Sequence, residues 1–509
     1  MLDVLADPLH RRIFEHIDVH ADDTLSLLRQ LVRTPGLSGQ EGSADDPDSV
    51  VGILAGTLAA RGTVAHHQPV SATSQNIVEV LRGEGERAFL IEAHTDTVGV
   101  GDLAAWHQQD PYGAFDGEVE YLGDGAVNIH VGSATYPAQL REQMSSIWER
   151  RPVPQARILY GRGAYDNKSS VVAMWAAIRA LDEVLRSEGV RLGGDLLGAY
   201  CVSEETDAAG VRALAVGDDS WLVEQGYVQR CDGRPQPVGD LTAVVLEGSY
   251  GWAPVVGHRG GAQMLLRGTG HSSHAATPHM GHNAVLSITR ALQAIEDGTP
   301  ELIERLNSFL DPELLGAATI ATGTTIVGGG IQRVHYGTEG VIVEREDVNA
   351  IPAWCEASID VRYPADRTYP RGTAELPERI RRTIDEFLSE ALPSPDRDHV
   401  RIEHLTNDLP CILGLTWDEA EQHPLVRGAR QTAQQLLGYD PGLAIAPGST
   451  DATFLAHGSG IPTLAEIGPA GALSHQPHEF VETEQIHLGA KVLAAMAISH
   501  LGIVDNNTT

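Results

Sequence analysis

Residues 88–96 read AFLIEAHTD, a largely apolar run that ends in a histidine, a threonine and an aspartate. The run predicts a buried strand with polar side chains at its carboxyl end. Residues 169–185 (SSVVAMWAAIRALDEVL) predict an amphipathic helix, and residues 196–202 and 242–246 predict two further strands. Because short apolar strands alternate with helical patterns, the first half of the chain predicts parallel β-α-β units.

The pattern changes at about residue 255. Residues 260–266 and 357–362 are typical of an antiparallel sheet, and residues 283–297 and 377–391 predict helices. From residue 423 onward the alternation of helix and strand returns, with helices predicted at residues 424–437 and 483–500 and a strand at residues 461–467. A segment of different character therefore interrupts an α/β domain.

These changes predict an α/β fold with a discontinuous catalytic domain, built on a central, mostly parallel sheet flanked by helices. Residues 1–254 and 419–509 form this domain. Residues 255–418 form an inserted α+β domain with an antiparallel sheet. Residues 101–156 are rich in Gly, Asp and Pro and weakly patterned, which predicts a long surface insertion.

Composition excludes several classes of function. Across 509 residues, 36 basic and 69 acidic side chains give a net charge of −33, which disfavours binding to nucleic acid or to an anionic membrane. No run is long and apolar enough to span a membrane, and polar residues interrupt the apolar runs of the first 20 residues, which argues against a signal peptide. We therefore expect a cytoplasmic protein that binds neither nucleic acid nor membranes.

The four cysteines are far apart and form no Cys-x-x-Cys pair, which favours reduced, buried thiols over a disulfide scaffold or a zinc-thiolate site; they are Cys201, Cys231, Cys355 and Cys411.

Potential metal ligands follow several predicted strands. They are His94 with Asp96, Asp166, Glu204 with Glu205, Glu247, and His475. Each has an ordinary explanation when taken alone: an aspartate before a helix is commonly an N-cap, and paired glutamates commonly lie in a solvated loop. Ligands bind beyond the carboxyl ends of the strands in a parallel α/β sheet. Together these residues predict a divalent metal site at one edge of the sheet.

The motifs that carry these residues have a familiar order. AHTDTV, GRGAYDNK, SEET, LEGSY, GSTDA and SHQPHE follow one another along the chain. The chain resembles the metallopeptidase family of aminoacylase, carboxypeptidase G, succinyl-diaminopimelate desuccinylase and acetylornithine deacetylase. The resemblance extends from about residue 25 to about residue 500, which is nearly the whole chain.

The resemblance implies two divalent metal ions, usually zinc, with Asp166 as the bridging ligand. His94 and Glu247 would complete one metal position, and Glu205 and His475 the other. Mixed histidine and carboxylate ligands suit zinc, and also cobalt or manganese.

The same resemblance assigns roles to two further carboxylates. Asp96 would orient His94 by accepting its imidazole N–H. Glu204 would act as the general base for attack on an amide carbonyl by a hydroxide that bridges the metals, and would pass the proton to the leaving amine.

The inserted domain resembles the lid and dimerisation domain of the family, so we expect a homodimer. Family members contact the substrate there with a histidine, an asparagine and an arginine. Asn349 and Arg362 match the last two, although a surface ion pair is the simpler role for an arginine. For the histidine, which would stabilise the oxyanion, often from the partner subunit, His274 is favoured over His271.

The sequence thus predicts a two-metal hydrolase that cleaves an amide bond beside a carboxylate in a small molecule, such as an N-acyl amino acid, or in a short peptide. A dipeptidase or aminopeptidase is the alternative within the same class of enzyme. An inactive metal-binding module is the alternative outside it.

Two features depart from the family pattern: the long spacing between His94 and Asp166, and the Asn167-Lys168 pair, which contains one of only two lysines in the chain.

Overall fold

The structure is a computed structural model that describes residues 4–140, 154–329, 331–337, 340–345, 349–364, 376–405 and 422–505. The chain forms two compact units. The first unit comprises Met1–Gly257, Gly414–Ala444 and Thr450–Thr509, and the second comprises His258–Leu413 and residues 445–449. The predicted boundary between residues 418 and 419 lies outside the described residues, and so does Cys411. Within the described ranges, no helix is long and apolar enough to cross a membrane.

An eight-stranded sheet forms the centre of the first unit. Its strands lie in the order Ala65–Pro69, Gln75–Leu81, Gly194–Cys201, Arg87–His94, Asp240–Leu246, Thr463–Ile467, Val255–His258 and Ala444–Ala446. The strand Arg87–His94 pairs in parallel with both of its neighbours, and Asp240–Leu246 also pairs in parallel with Thr463–Ile467.

This sheet is mixed, so the prediction of a mostly parallel sheet was wrong. The strand Gln75–Leu81 pairs antiparallel with Gly194–Cys201 and with Ala65–Pro69. The latter pair is joined by a short connection, which suits an antiparallel hairpin, whereas a parallel pair needs a long crossover. The parallel pattern is therefore confined to the centre of the sheet, where the apolar runs are longest.

Helices of the first unit include those predicted from the sequence. The helix Ser169–Glu188 packs against Thr483–Leu501, and both contact the strand Arg87–His94. Ser169–Glu188 ends at Gly189, whose left-handed backbone (φ 70°) caps the helix. The remaining α-helices of this unit are Pro8–Val19, Ala21–Arg33, Val50–Ala60, Ala209–Ala215, Trp221–Glu224 and Pro424–Leu437.

A second, six-stranded sheet also belongs to the first unit. Its strands lie in the order Gly471–Ala472, Phe480–Glu482, Gln155–Tyr160, Phe115–Gly123, Ala126–Val131 and Ala134–Gln139, and all of them pair antiparallel. The described part of the unit also contains two short antiparallel pairs: the hairpin Val228–Cys231 with Arg234–Pro237, and Val190–Leu192 with the distant strand Ile503–Asp505.

The expectation of a weakly patterned surface insertion at residues 101–156 was wrong for most of its described part. Three strands of the second sheet come from it, and the side chains of Val119 and Ile129 are fully buried. The alternation of apolar and polar residues is present there, but charged residues and turn glycines obscure it. Residues 141–153 lie outside the described part.

The second unit is α+β, with a four-stranded antiparallel sheet in the order Thr319–Gly328, Trp354–Tyr363, Gly260–Thr269 and Val400–His404. Its α-helices are Ala284–Asp297, Thr299–Asn307, Pro312–Leu315 and Leu376–Ala391, and a hairpin joins Ile331–Gly337 with Gly340–Arg345. One face of the sheet and the helices enclose an apolar core that includes Met264, Leu266, Ile288, Ile359 and Ile384. The predicted antiparallel pairing in this segment is confirmed.

Candidate metal centre

Three neighbouring parallel strands bring polar side chains to one edge of the central sheet. His94 ends the strand Arg87–His94, and Glu247 follows Asp240–Leu246. Glu204 and Glu205 lie shortly after Gly194–Cys201, in a turn that begins at Ser203, whose φ is 61°. Because the carboxyl ends of these strands lie side by side, their side chains converge, as the sequence predicted.

Asp166 and His475 reach the same place from the second sheet, so the prediction that Asp166 follows a strand of the parallel sheet was wrong, although its side chain lies with those of the other ligands. Asp166 follows the strand Gln155–Tyr160, which pairs antiparallel with Phe480–Glu482. His475 lies in the connection that precedes Phe480–Glu482 and has a left-handed backbone, with φ 63°. Asp166 is also not an N-cap, because the helix begins at Ser169 with Lys168 as its cap residue.

Asp166 lies between two groups of side chains and contacts both. Its Oδ1 is 3.2 Å from His94 Nε2, which is also 3.2 Å from Glu247 Oε2. Its Oδ2 is 3.3 Å from His475 Nε2, which is 3.0 Å from Glu205 Oε2. The ligand atoms of each group of three lie within 4.8 Å of one another. The arrangement offers two adjacent cation positions that share one carboxylate.

Asp96 contacts three residues of this centre and fixes their orientation. It is fully buried, and its two oxygens accept hydrogen bonds from the backbone N–H groups of Glu204 and Glu205, at 3.0 Å each. Its Oδ1 also lies 3.4 Å from His94 Nδ1. A proton held on Nδ1 by this carboxylate leaves the Nε2 lone pair of His94 directed at the cation position.

The ionisable side chains of the centre have shifted pKa values because several carboxylates lie close together. Burial, with the charge of Asp166, raises the pKa of Glu205 to about 7. Hydrogen bonds to Asp166 and Glu205 raise the pKa of His475 to about 11. Burial opposes ionisation of Asp166, but its contacts with His475 and His94 hold its pKa below the ordinary value. Carboxylates in this number attract a cation, and without a metal the histidines take up protons instead.

The donor set fits divalent metals. Each group offers one imidazole nitrogen and two carboxylates, one of them shared, and this mixture suits zinc, cobalt or manganese. Glu205 Oε1 is buried without a hydrogen-bond partner, which is the state expected of an oxygen that coordinates a cation. Glu204 belongs to neither group although it adjoins Glu205, and burial, with the charges of Glu247 and Asp451, raises its pKa well above the ordinary value.

Glu479 holds the bridging aspartate and was assigned no role from the sequence. This buried carboxylate accepts hydrogen bonds from the backbone N–H groups of Tyr165 and Asp166, at 3.0 Å each, and pairs with the buried Arg162. The signal was present, since Glu479 is the final residue of the SHQPHE motif that contains His475.

Glu41 supports the turn that carries Glu204, and no sequence pattern singled it out. Its Oε1 accepts hydrogen bonds from the backbone N–H groups of Ser203, at 2.8 Å, and Gly39, at 2.9 Å. Burial, with the charge of Asp96, raises the pKa of Glu41 to about 7. Its contact with Ser203 spans 162 positions of the chain, so local pattern could not reveal it.

Lys168 serves the fold beside the centre. Its fully buried ammonium group donates hydrogen bonds to the carbonyls of Leu31 and Thr34, at 2.9 Å each, where the helix Ala21–Arg33 ends. Lys168 thus gives the carbonyl of Thr34 a donor and adds a second donor to the carbonyl of Leu31, which also accepts the N–H of Thr34 at 3.2 Å.

The three expected substrate contacts all lie in the second unit. Asn349 Nδ2 is 3.3 Å from His274 Nε2, whereas His271 pairs through its backbone with His282. The Nδ1 of His274 accepts a hydrogen bond from the N–H of Ala276, at 3.0 Å, so a neutral ring carries its proton on Nε2, and the amide of Asn349 accepts this proton only with its oxygen turned toward the ring. Arg362 forms a two-point ion pair with Asp360.

Comparison with known proteins identifies the family. The model of peptidase family M20/M25/M40 matches residues 135–499. The chain belongs to peptidase family M20/M25/M40. The succinyl-diaminopimelate desuccinylase of Bradyrhizobium diazoefficiens is 23% identical over 491 residues, which cover 94% of this chain and 100% of the relative.

Solved structures of the M20 type share the fold. The dipeptidase Dug1p of Saccharomyces cerevisiae has a TM-score of 0.60 at 12% identity, covering 96% of this chain and 98% of its own. Human carnosine dipeptidase 1 has a TM-score of 0.59 at 14% identity, covering 97% and 99%. The predicted family is thereby confirmed, and this M20 chain is a metal-dependent amidohydrolase of a family that typically binds two divalent metals.

Proposed function

We propose that this M20 chain hydrolyses an amide bond beside a carboxylate in a small molecule such as an N-acyl amino acid. The observation that carries the proposal is the pair of histidine–carboxylate groups joined by Asp166, with Glu204 next to them but outside both groups. The bacterial relatives named succinyl-diaminopimelate desuccinylase favour an acyl group with its own carboxylate.

The five residues of the two groups would hold the metals: His94 and Glu247 on one side of Asp166, Glu205 and His475 on the other. When bound, two such metals polarise the scissile carbonyl and lower the pKa of water.

The chain's own residues supply the proton transfers. Glu204 takes a proton from the attacking water and delivers it to the nitrogen of the leaving amine. Its raised pKa suits both steps, because the carboxylate accepts the proton readily and gives it up within the same cycle. Asp96 holds the backbone of Glu204 and Glu205 together, so that one side chain faces the metals while its neighbour faces the water.

The pair of His274 and Asn349 would contact the substrate. The proton on Nε2 of His274 makes this atom a donor, which is what a developing oxyanion requires. Arg362 would read a substrate carboxylate after exchanging its partner Asp360, because a guanidinium fork matches either carboxylate. We also predict that the chain forms a homodimer, that a partner subunit supplies His274, and that the protein is cytoplasmic.

Metal content tests the centre first. Wild type is compared with Asp166→Ala by elemental analysis for zinc, cobalt and manganese, and Asp116→Ala is the control because its side chain is 71% exposed and pairs with Arg29. We expect metal at the centre in wild type and in the control, and its loss in Asp166→Ala. A wild type without metal after incubation with zinc contradicts the proposal and favours an inactive module.

A substrate panel tests the chemistry. N-acetyl and N-succinyl amino acids are compared with dipeptides, since two structural neighbours are dipeptidases and share the fold. Hydrolysis of the acyl compounds alone supports the proposal, and hydrolysis of dipeptides alone supports the peptidase alternative. Glu204→Gln should retain its metals and lower kcat by roughly 10²–10⁴-fold.

A further inference from the structure

A second cluster of metal-ligating side chains lies in the first unit, apart from the two groups joined by Asp166. Ligand atoms of Glu92, Cys201 and Asp451 lie within 4.8 Å of one another. Each of these residues is at most 1% exposed. None of the three is a ligand of the catalytic centre described above.

Three distant segments build this cluster. Glu92 lies in the strand Arg87–His94, two residues before His94, and therefore on the same face of the sheet. Cys201 ends the neighbouring strand and is the register partner of His94. Asp451 comes from a segment far along the chain, in the motif GSTDA. The cluster thus extends inward from the row of strand ends that carries the catalytic ligands.

The carboxylates of this cluster have few hydrogen-bond partners. Among the described residues, neither oxygen of Asp451 has one, and Glu92 is hydrogen-bonded to the thiol of Cys201, a member of the same cluster. Burial of an unpaired carboxylate is costly, and such groups in proteins are paired, protonated or bound to a metal. The charged groups that act on Asp451 are Glu92, His94, Glu247 and Asp96, so its surroundings are mainly negative.

Protonation alone satisfies the cluster poorly. The O–H of a protonated carboxyl can donate to its partner carboxylate, and the thiol can donate to Glu92, but at least one buried carboxyl oxygen then still has no donor. A cation placed among the ligand atoms accepts electron pairs from both carboxylates and the sulfur at once, and it neutralises charge where the neighbours are acidic.

We propose that Glu92, Cys201 and Asp451 hold a third, structural divalent transition-metal ion of the zinc type. The thiolate selects such a metal over magnesium or calcium, which prefer oxygen ligands alone. The ion links two adjacent strands to the GSTDA segment behind the catalytic ligands. No sequence pattern indicates this site, because a single cysteine with two distant carboxylates has no recognisable spacing.

The sulfur ligand permits a test that is independent of catalysis. Neither catalytic group contains a cysteine, so a thiolate-to-metal absorption band in the near ultraviolet after loading with Co²⁺ reports only on the new site. We expect this band in wild type, with a third metal per chain after loading with Zn²⁺. Cys201→Ser should abolish the band. Cys231→Ser, which changes a cysteine outside the cluster, should keep it.

The count of metals needs its own control. His16, His20 and Glu183 form another group of potential ligands, although Arg179 contacts both His20 and Glu183 there. A His16→Ala/His20→Ala variant should keep three metals, whereas Glu92→Gln should fall from three to two.

Either of two results overturns the proposal: a loaded wild type that shows no thiolate band, or a third metal that is lost in the double histidine variant and kept in Glu92→Gln. The wild-type spectrum decides even where a cluster variant fails to fold. Because the band needs no substrate, its absence leaves the proposed amide hydrolysis untouched, and failed hydrolysis leaves the band untouched.

Discussion

Asp96→Asn tests how the backbone behind the metal centre is fixed. The aspartate accepts a hydrogen bond on each oxygen, from the N–H of Glu204 and from the N–H of Glu205. An asparagine keeps the shape but has one acceptor oxygen, so its NH₂ group faces a backbone N–H. If the oxygen stays on the side of His94 and Glu204, the N–H of Glu205 loses its partner.

The size of the effect follows from this lost contact. A hydrogen bond to a charged group contributes about 1.5–3 kcal/mol, and a stranded buried donor costs about 1–3 kcal/mol. Without metal the turn can relax, but a bound metal needs Glu205 in place. Since 1.4 kcal/mol is about tenfold in an equilibrium constant, we expect metal affinity to fall about 10–100-fold, the range typical of groups that orient metal ligands.

A competition titration against a metal chelator measures this affinity directly. Asp396→Asn is the matched control, since Asp396 is 5% exposed and accepts hydrogen bonds from Ser287 and Arg290 in the second unit. Both variants should lose unfolding free energy, and only Asp96→Asn should lose metal affinity. If Asp96→Asn binds metal as tightly as wild type while it is destabilised as much as the control, Asp96 has no part in orienting the centre.

Three further variants or treatments test the surroundings of the centre. Glu41→Ala strands the buried N–H of Ser203 and should lower kcat roughly 10–100-fold with metal content unchanged, whereas Glu41→Gln, which keeps the accepting oxygen, should restore steady-state turnover. Lys168→Met removes the ammonium donor from the carbonyl of Thr34 and one of the two donors from the carbonyl of Leu31, and should cost about 1–3 kcal/mol in urea unfolding. Burial lowers the pKa of Lys168 from its ordinary value of 10.5 to about 7. Between these two pH values the side chain holds a proton in the unfolded chain that it lacks in the folded chain. The free energy of unfolding of wild type should therefore rise with pH across this window more steeply than that of Lys168→Met. Removal of bound metal by a chelator should lower the melting temperature of wild type. The corresponding loss of unfolding free energy is about 2.7 kcal/mol where the free metal concentration had been 100 times its Kd, and the melting temperature of Asp166→Ala should fall less.

The sequence predicted the elements with strong periodicity. The strand that ends at His94, the helix from Ser169 and the helix Pro424–Leu437 all lie where their patterns placed them, because apolar periodicity reflects the face that each element buries. The convergence of Glu205 and Glu247 with His94 could also be predicted, since neighbouring parallel strands end at one edge.

Pairing between distant strands could not be predicted in the same way. An apolar run before Asp166 predicts a strand, but nothing in Gln155–Tyr160 states whether its partner is parallel or antiparallel. The contacts of Glu41 and Glu479 are set by the folded chain, across 162 and 313 positions respectively, so their roles are invisible to local pattern. The residue types therefore predicted the metal ligands, whereas the sheet to which each ligand belongs could not be predicted.

The two-sheet origin of the centre has a mechanical consequence. His94 and Glu247 follow adjacent strands of the central sheet, whose parallel pairing fixes the distance between them. Asp166 and His475 follow elements of the second sheet, and Glu479, four residues after His475, holds the backbone N–H of Asp166. The bridging ligand is thus tied to the segment that also supplies His475, so these two residues shift together if the second sheet moves. Such a movement changes the distance from Asp166 to His94 while it preserves the distance from Asp166 to His475. Glu205, the remaining ligand of the position that contains His475, follows the central-sheet strand Gly194–Cys201, so both metal positions combine ligands of the two sheets and the geometry of both depends on how the sheets meet.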